Sequence, residues 1–498
     1  MYKSTLIELM YKFTPDELKK FELFLRSPYH NKLTNPLKLF LEVKKFAPDY
    51  ESNLLDKEIM WQKIFPGKKF NYGVMKNLIH EITKLGMKFL TIEYLENSKP
   101  DQDDMLLTQL FLRNCRKLYS QKVKQVNSQY SGNFIKKIQP EAETYFKFKS
   151  KLYWQEAYFE KINEIKLPEK ENFQSSSHYL TYSYIISLVK QLNNIIANSY
   201  DNNYDLHNNL TLFLLKNFSE GLFEKVIEDA KYYPERDNKV IETYIALGNA
   251  LIDLGNNEAY YLYKKKLIEN RMLFSKLDLK DLFNCLSTVL SHLDKSNDNV
   301  IREFLSNFEY MAEMNILTQE DGTLGINYYY YYITAAFKVL KFEKIEIFSK
   351  KFLKKLNDDK QENAKLITKA LLAFGEGRYD EALQIISKAD PVALFLKFFI
   401  REFRACCLYE LNERQVFENE YRSLYHFLKN NKLDNPRLSK SIDSHMKNIK
   451  KLFMLKEKFN IDLYTKLDTN TKGYISWTEQ KLREIDTLEK KSKKLRIA

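Results

Sequence analysis

Residues 366–391 read LITKALLAFGEGRYDEALQIISKADP, and this stretch decides how the rest of the chain is interpreted. Apolar residues recur at helical spacing on both sides of the polar segment around Gly377 and Tyr379, which predicts two helices joined by a short turn. Glycine permits the tight reversal, and the tyrosine is expected to cover the corner. Small residues stand where two helices must approach closely, at Ala370, Ala382 and Ala389. The stretch is therefore interpreted as a closely packed helical hairpin.

This hairpin resembles a tetratricopeptide repeat, and a weaker version of its pattern returns along the chain. The residues that match Tyr379 are Phe223, Asn257, Phe342 and Arg414, and the long interval in the middle predicts one more unit near Asn299. The resulting spacing of about 34–42 residues is typical of helical repeats. Before residue 210 only the rhythm of long amphipathic segments remains. The resemblance implies an α-solenoid, in which each helical pair buries its apolar stripe against its neighbours.

Glycine content supports an all-α fold class. Only 12 of 498 residues are glycine, whereas parallel α/β folds and phosphate-binding loops depend on glycine. We therefore expect a small N-terminal helical bundle, residues 1–97, followed by the repeat solenoid, residues 105–459, and a basic C-terminal turn and helix, residues 460–498. The alternative is an ordinary multi-helix bundle built from unrelated pieces.

The N-terminal bundle has the clearest local signals. Thr14, Pro15 and Glu17 form a predicted capping box with proline at the first helical position. Further helices are predicted over residues 36–46, 56–64 and 72–96. The polar segment NSKPDQDD at residues 97–104 contains proline and is interpreted as the domain boundary.

The cysteines and the charge distribution indicate the cellular compartment of the protein and the kind of partner it could contact. The net charge is +13, and it is concentrated at the ends, with +5 in residues 1–100 and +9 in residues 429–498. Four cysteines lack metal-ligand spacing, the N-terminus lacks a signal-peptide pattern, and no long apolar stretch predicts a membrane span. We expect a cytoplasmic protein whose basic termini are candidate contacts for an anionic partner.

The sequence DTNTKGYISWTE at residues 468–479 resembles a calcium-binding loop. Oxygen ligands and glycine fall at the required positions, but Lys472 replaces one ligand with a positive charge. The alternative is that Ser476 and Glu479 form a capping box at the start of the last helix. We favour the helix start, and we expect no metal and no cofactor.

Two further groups of residues are candidate partner surfaces. The first is a run of five tyrosines, Tyr328, Tyr329, Tyr330, Tyr331 and Tyr332, which either docks a peptide or packs in the solenoid core. The second is a basic set that either contacts phosphates or forms a solvated helix face. Its members are Lys447, Lys450, Lys451, Lys490, Lys491, Lys493, Lys494 and Arg496.

Catalytic motifs are missing from the sequence, including paired metal-binding histidines, nucleophile elbows and phosphate-binding loops. We therefore expect a non-enzymatic scaffold that binds a protein or peptide partner. The alternative is a nucleic-acid- or ribosome-associated helical-repeat protein that acts through its basic termini.

Overall fold

The computed structural model describes residues 4–129, 140–162, 170–202, 209–293, 299–319, 321–391, 393–430, 436–465, 467 and 475–497. Every regular element in these ranges is a helix, and they contain no strand. The all-α fold class is therefore confirmed. None of the described helices is long and apolar enough to cross a membrane.

The chain divides into two compact units, Met1–Tyr130 and Ser131–Ala498. These units differ from the domain limits expected from the sequence. The predicted boundary segment at residues 97–104 contains the start of the helix Lys99–Leu112, in which proline occupies the first turn, where its missing N–H costs nothing. This helix and the next one belong to unit 1. The expected C-terminal domain belongs to unit 2.

Unit 1 is a bundle of seven α-helices among its described residues, with a short 3-10 turn at Asn53–Leu55. The helices are α1 Thr5–Tyr11, α2 Pro15–Arg26, α3 Thr34–Lys44, α4 Lys57–Ile64, α5 Tyr72–Asn97, α6 Lys99–Leu112 and α7 Arg116–Gln129. The predicted capping box is present, because the Thr14 hydroxyl accepts from the Glu17 N–H and the Glu17 carboxylate accepts from the Thr14 N–H. The predicted helices begin and end within a few residues of the observed ones.

Aromatic packing holds unit 1 together. The ring of Phe21 lies 5.1 Å from that of Phe40 and 5.2 Å from that of Phe89, so helices α2, α3 and α5 meet at one point. Helix α1 approaches α5 at Gly86, where an added Cβ would lie 2.5 Å from a Leu9 methyl group. The helical period places these residues on the inner faces, which explains the single core of this bundle.

Unit 2 consists of helices that pack in consecutive pairs, each pair against the next. The helices before residue 300 are α8 Ala142–Ile162, α9 Lys170–Asn202, α10 Leu210–Ser219, α11 Leu222–Ala230, α12 Glu235–Ile252, α13 Asn257–Asn270, α14 Lys276–Leu290 and α15 Asn299–Glu313. The later ones are α16 Ile326–Lys338, α17 Phe342–Phe352, α18 Asp358–Gly375, α19 Tyr379–Ile386, α20 Leu394–Glu410, α21 Arg414–Asn430, α22 Pro436–Glu457, α23 Ile461–Thr465 and α24 Ile475–Ile497.

The residues matched to Tyr379 in the sequence mark the second helix of each pair. Asn257, Asn299, Phe342, Tyr379 and Arg414 are the first residues of α13, α15, α17, α19 and α21. Phe223, the remaining match, is the second residue of α11. The predicted repeat rhythm, including the additional unit at Asn299, therefore coincides with the observed helical pairs.

A common turn joins the two helices in five of these pairs. The residue two positions before the matched one has a positive φ in each, at Gly221, Gly255, Leu340, Gly377 and Asn412. In the last three turns, hydrogen bonds of the Schellman type close the first helix; for example, the Lys341 N–H donates to the Ala336 carbonyl at 2.9 Å. The glycine signature found in the sequence is thus one form of a turn that leucine and asparagine also adopt.

Two expected details of the hairpin and the C-terminus are wrong. Ala389 does not face back from the second helix, because α19 ends at Ile386 and Ala389 lies in the following turn. Ser476 does not cap the last helix, because the described part of α24 begins at Ile475 and places Ser476 inside it. Ala370 and Ala382 are both fully buried, as close helix contact requires.

Candidate partner-binding cavity

The five consecutive tyrosines of α16 point in different directions. Tyr329, Tyr330 and Tyr332 are buried, whereas Tyr331 keeps 41 % of its surface exposed. Tyr328 is half-buried on the same side as Tyr331, since residues three apart share a helix face. Helical geometry therefore divides the run into interior residues and a small outward face.

The hydroxyl groups of the interior tyrosines have partners inside the fold. The Tyr329 hydroxyl lies 3.0 Å from Ser349 Oγ and 2.8 Å from Thr368 Oγ1. The Tyr332 hydroxyl donates to the Glu309 carboxylate at 3.0 Å. A buried hydroxyl without a partner would destabilise the fold, and these bonds remove that cost. Tyr329 and Tyr332 consequently act in packing, and Tyr331 is the residue of the run that faces a cavity.

The Tyr331 cavity has a volume of about 290 Å³ and lies among α14, α15, α16 and α20. Its apolar walls are Leu290, Val300, Ile301, Phe304, Tyr331, Ala335 and Phe395, and its polar lining residues are Ser287, Ser291, Thr334 and Lys338. The rings of Tyr331 and Phe395 lie 4.8 Å apart, so two aromatic faces from different helices form one wall. A concave apolar surface with few polar groups is the usual form of a binding site.

Lys338 is the charged residue among the described residues that line the Tyr331 cavity. The hydroxyls of Ser287 and Thr334 donate to carbonyls of their own helices, those of Phe283 at 3.2 Å and Tyr330 at 2.8 Å. Their hydrogens are thus already engaged. The ammonium group of Lys338 is the charged hydrogen-bond donor among these lining residues.

Buried titratable groups lie close enough to Lys338 to respond to its charge. Burial raises the pKa of Glu402 to about 7, while the charge of Lys338 opposes that rise. Burial lowers the pKa of His445 to about 3, and the charge of Lys338 lowers it further. The field of Lys338 therefore favours an ionised Glu402 and a neutral His445.

A cysteine–histidine pair occurs in this region, but its environment opposes nucleophilic chemistry. Cys406 Sγ lies 3.9 Å from His445 Nε2, and both residues are completely buried. Burial raises the pKa of the Cys406 thiol well above its ordinary value. A reactive cysteine needs a thiolate and access to substrate, and this pair has neither at neutral pH.

The basic set predicted near the C-terminus is only partly described. Lys447 forms an ion pair with Asp443 at 2.7 Å, and Lys450 forms one with Glu418 at 3.0 Å. Lys451 is half-buried on the same helix. The side chains of Lys490, Lys491, Lys493, Lys494 and Arg496 lie outside the described residues. The structure thus places Lys447 and Lys450 beside carboxylates, and none of the described Lys447, Lys450 and Lys451 lines the Tyr331 cavity.

The last helix is attached to the earlier helices of unit 2 by a contact that the sequence did not reveal. Trp477 is buried, and its indole N–H donates to Glu410 Oε1 at 2.8 Å. The Lys481 ammonium lies 2.8 Å from the same oxygen and is itself almost fully buried. The other side of α24 borders a cleft of about 820 Å³, opposite Arg302 and the turn Val339–Lys341. The C-terminal helix consequently packs near the C-terminal ends of α16 and α20.

The candidate calcium loop falls largely outside the described residues, which omit residues 468–474. Within the described ranges, no group of three histidine, cysteine, aspartate or glutamate side chains could hold a metal ion. No protein-family model, curated protein or solved structure matches the chain.

Proposed function

We propose that unit 2 is a non-enzymatic scaffold that binds a segment of a partner protein, with the Tyr331 cavity as the recognition point. The observation that supports this proposal is the exposed Tyr331 ring beside Phe395 at the wall of an apolar cavity. Tyrosine at the edge of a pocket provides a large contact area at a small entropic cost, and such residues dominate binding energies at protein interfaces.

The dimensions of the cavity favour a side chain as the ligand. A volume of about 290 Å³ is at the lower limit of pockets that bind whole small molecules. It is sufficient for one large aliphatic or aromatic side chain, which would bury its surface between Tyr331 and Phe395. Burying such a side chain contributes about 2 kcal/mol, so neighbouring contacts must supply the remaining affinity.

The architecture proposed for unit 2 is a tetratricopeptide-repeat-like solenoid. Three successive pairs, from α16 to α21, share the Schellman-type turn and the aromatic or polar residue that follows it. Helical repeats present the first helices of successive pairs on one surface, where partner segments bind. The cavity is lined by first helices of this kind, α14, α16 and α20, together with α15.

The second candidate, binding of nucleic acid through the basic termini, remains a prediction from the sequence. The ion pairs of Lys447 and Lys450 with carboxylates weaken it, because an engaged ammonium contributes less to counterion release. Truncation before α22 would be a poor test, since it removes the buried residues Met446 and Phe453. Replacing Lys490, Lys491, Lys493 and Lys494 by glutamine tests the charge alone.

Quantitative affinity purification of the full chain from native cells tests the leading proposal. Ala335→Trp fills the cavity, and Tyr331→Ser removes its aromatic wall. We expect both variants to lose the same partner proteins, by about tenfold or more. Tyr261→Ser is the matched control, because Tyr261 is a similarly exposed tyrosine on α13, away from the cavity.

Nuclease treatment separates the two candidates. Partners that survive the nuclease but disappear with Ala335→Trp support the cavity proposal. Partners that disappear with the nuclease and are insensitive to both cavity variants support nucleic-acid binding instead. Recovery of the same partners by wild type, Ala335→Trp and Tyr331→Ser would refute the cavity as the recognition point.

A further inference from the structure

We infer that the exposed basic side of α5 in unit 1 binds duplex DNA, with the N-terminal half of this helix in the major groove. This surface, the α5 basic face, consists of Lys69, Lys76, Asn77, His80, Lys84 and Lys88, all of which are exposed. The inference goes beyond the scaffold function proposed for unit 2, because it concerns the other unit and another class of partner. It involves none of the C-terminal lysines.

The helical period separates an inner from an outer side of α5. The buried residues of its N-terminal half are Met75, Leu78, Ile79 and Ile82. On the outer side, Gly73, Lys76, Asn77 and His80 follow the spacing i, i+3, i+4, i+7, which places them on one face. A DNA-recognition helix contacts base edges with N-terminal residues that share a face in this way. The sequence of α5 thus presents hydrogen-bonding side chains at the positions that such a helix uses.

The charge of the α5 basic face is complementary to a phosphate backbone. Its four lysines are accompanied by one acid, the half-buried Glu81 at the edge of the face, which leaves a net charge of +3. The ion pairs in the described part of unit 1 involve other basic residues, so none of the four lysines pairs with a carboxylate there. Such lysines release condensed counterions when they contact DNA phosphates, which favours association.

The elements around α5 provide a rigid support for this face. Helices α3, α4 and α5 pack against one another, and residues 65–71 join α4 to α5. In helix-turn-helix proteins the first helix of such a pair crosses the DNA backbone and the second enters the groove. The connection here is longer than in that motif, but the Trp61 indole N–H holds it by donating to the Lys68 carbonyl at 2.9 Å. The backbone of Lys69 therefore lies close to the start of α5, where a phosphate contact is expected.

The shape and composition of the face favour DNA over other anionic partners. An α-helix with its side chains is about 10–12 Å wide and fits the major groove of B-form DNA, about 12 Å wide, whereas the major groove of duplex RNA is too narrow. A membrane-binding helix inserts an apolar side, but the exposed residues from Lys76 to Lys84 are all polar. Asparagine, present here as Asn77, is the side chain that pairs with adenine through two hydrogen bonds.

Fluorescence anisotropy of the full chain with a labelled DNA duplex of mixed sequence, repeated at several salt concentrations, tests the inference. The face variant combines Lys69→Gln, Lys84→Gln and Lys88→Gln. We expect it to reduce the slope of log affinity against log salt by about three, since each lost phosphate contact removes about 0.9. Circular dichroism checks that the variant is folded.

The matched control combines Lys19→Gln, Lys32→Gln and Lys38→Gln, which remove the same charge from exposed positions on α2, on α3 and between them. This control should keep the wild-type slope. Ala335→Trp should also bind DNA as wild type does, so the result is independent of the Tyr331 cavity and of the function proposed for it.

Selection of bound duplexes from a random DNA library tests base recognition. Wild type should select a preferred sequence, and Asn77→Ala should lose the preference for adenine at one position, by about tenfold. Equal slopes for the face variant and the control would overturn the inference, because net charge alone would then be responsible. Absence of duplex binding at low salt would overturn it too, as would tighter binding to an RNA duplex of the same sequence or to phosphatidylserine vesicles.

Discussion

Asp237 and Asp278 occupy the same position in two first helices of unit 2, the third residue of α12 and of α14, and both carboxylates are buried. Asp237 Oδ2 accepts hydrogen bonds from the hydroxyls of Tyr179 at 2.8 Å and Tyr145 at 3.3 Å. The same position in the two helices thus anchors earlier helices to the first turn of a later one. The positive end of the helix dipole favours a carboxylate there.

The buried Asp278 carboxylate lies beside the Lys190 ammonium group, and this pairing gives the first prediction. This carboxylate accepts from the Ala142 N–H at 2.7 Å and the Lys190 ammonium at 3.0 Å. Burial is the largest single influence on the pKa of Lys190 and would lower it, but the charge and hydrogen bond of Asp278, together with the charges of Glu143 and Glu141, raise that pKa overall. Asp278→Asn should therefore lower the free energy of unfolding by about 3 kcal/mol, measured by urea denaturation, since a buried ammonium loses its counter-charge.

A double-mutant cycle with Lys190→Met isolates the pair. The double variant should be less destabilised than the sum of the single variants, with a coupling energy of about 1–2 kcal/mol. The matched control is the exposed pair Glu235–Lys239 on α12, whose Glu235→Gln variant should leave the denaturation midpoint unchanged. Strict additivity of Asp278→Asn and Lys190→Met would contradict the proposed pairing.

The common turn gives the second prediction. Substitutions at the same turn position should change the melting temperature in opposite directions, depending on whether the native residue there is glycine or leucine. Gly377 has a φ of +77°, and an added Cβ would meet nothing within 4 Å, so Gly377→Ala changes backbone energy alone. Leu340 has a φ of +54° at the equivalent place. Left-handed backbone costs an L-residue about 1–2 kcal/mol, so Gly377→Ala should lower the melting temperature and Leu340→Gly should raise it slightly.

Asn412→Gly is the control for this pair of variants, because asparagine tolerates the left-handed region better than leucine does. Its effect on the melting temperature should be smaller than that of Leu340→Gly. A loss of stability in Leu340→Gly would mean that the packing of the leucine side chain outweighs the backbone strain.

The helical class and the repeat rhythm could be predicted because they depend on local signals. Gly377 and the aromatic residue after it mark a turn in the sequence, and the matched positions Asn257 and Phe342 follow the same period. Leu340 carries no such signal, since leucine is not a turn residue. Only the tertiary fold shows that its backbone adopts the glycine-like conformation.

The candidate site could be predicted only as far as the tyrosine run itself. Which tyrosine faces a cavity depends on Phe395, which is distant in sequence and packs beside Tyr331 in the fold. That Lys338 lines the same cavity also depends on this packing. The attachment of α24 through Glu410 escaped prediction for the same reason.

The third prediction concerns two buried groups with opposite pH dependence. The folded pKa of Glu402, about 7, lies above its ordinary value, so this group reduces stability as the pH rises from about 4.5 to 7. The folded pKa of His445, about 3, lies below its ordinary value, so this group increases stability as the pH rises from 3 to about 6.5. Between about pH 4.5 and 6.5 the two contributions cancel.

Replacing either Glu402 or His445 should remove this cancellation and reveal the pH dependence that the other group contributes. Relative to wild type, Glu402→Gln should make the free energy of unfolding rise more steeply with pH between about 4.5 and 6.5, by about 1.4 kcal/mol per pH unit. His445→Gln should produce a change of the opposite sign in the same window. Denaturant titrations at several pH values measure both slopes. Parallel profiles for all these variants would show that neither group titrates in this range in the folded chain.

The last prediction concerns the attachment of α24. Trp477 fills a buried position against Tyr409, with ring centroids 5.3 Å apart, and donates to Glu410. Replacing a fully buried tryptophan by alanine costs about 3–5 kcal/mol, which exceeds what the remaining ion pair of Lys481 can offset. Trp477→Ala should therefore release α24, and amide hydrogen exchange in residues 475–489 should accelerate while α22 stays protected.

Leu488→Ala, at an exposed position of the same helix, should leave the exchange unchanged. Equal protection of α24 in wild type and Trp477→Ala would mean that other contacts, and not the tryptophan, hold the helix in place.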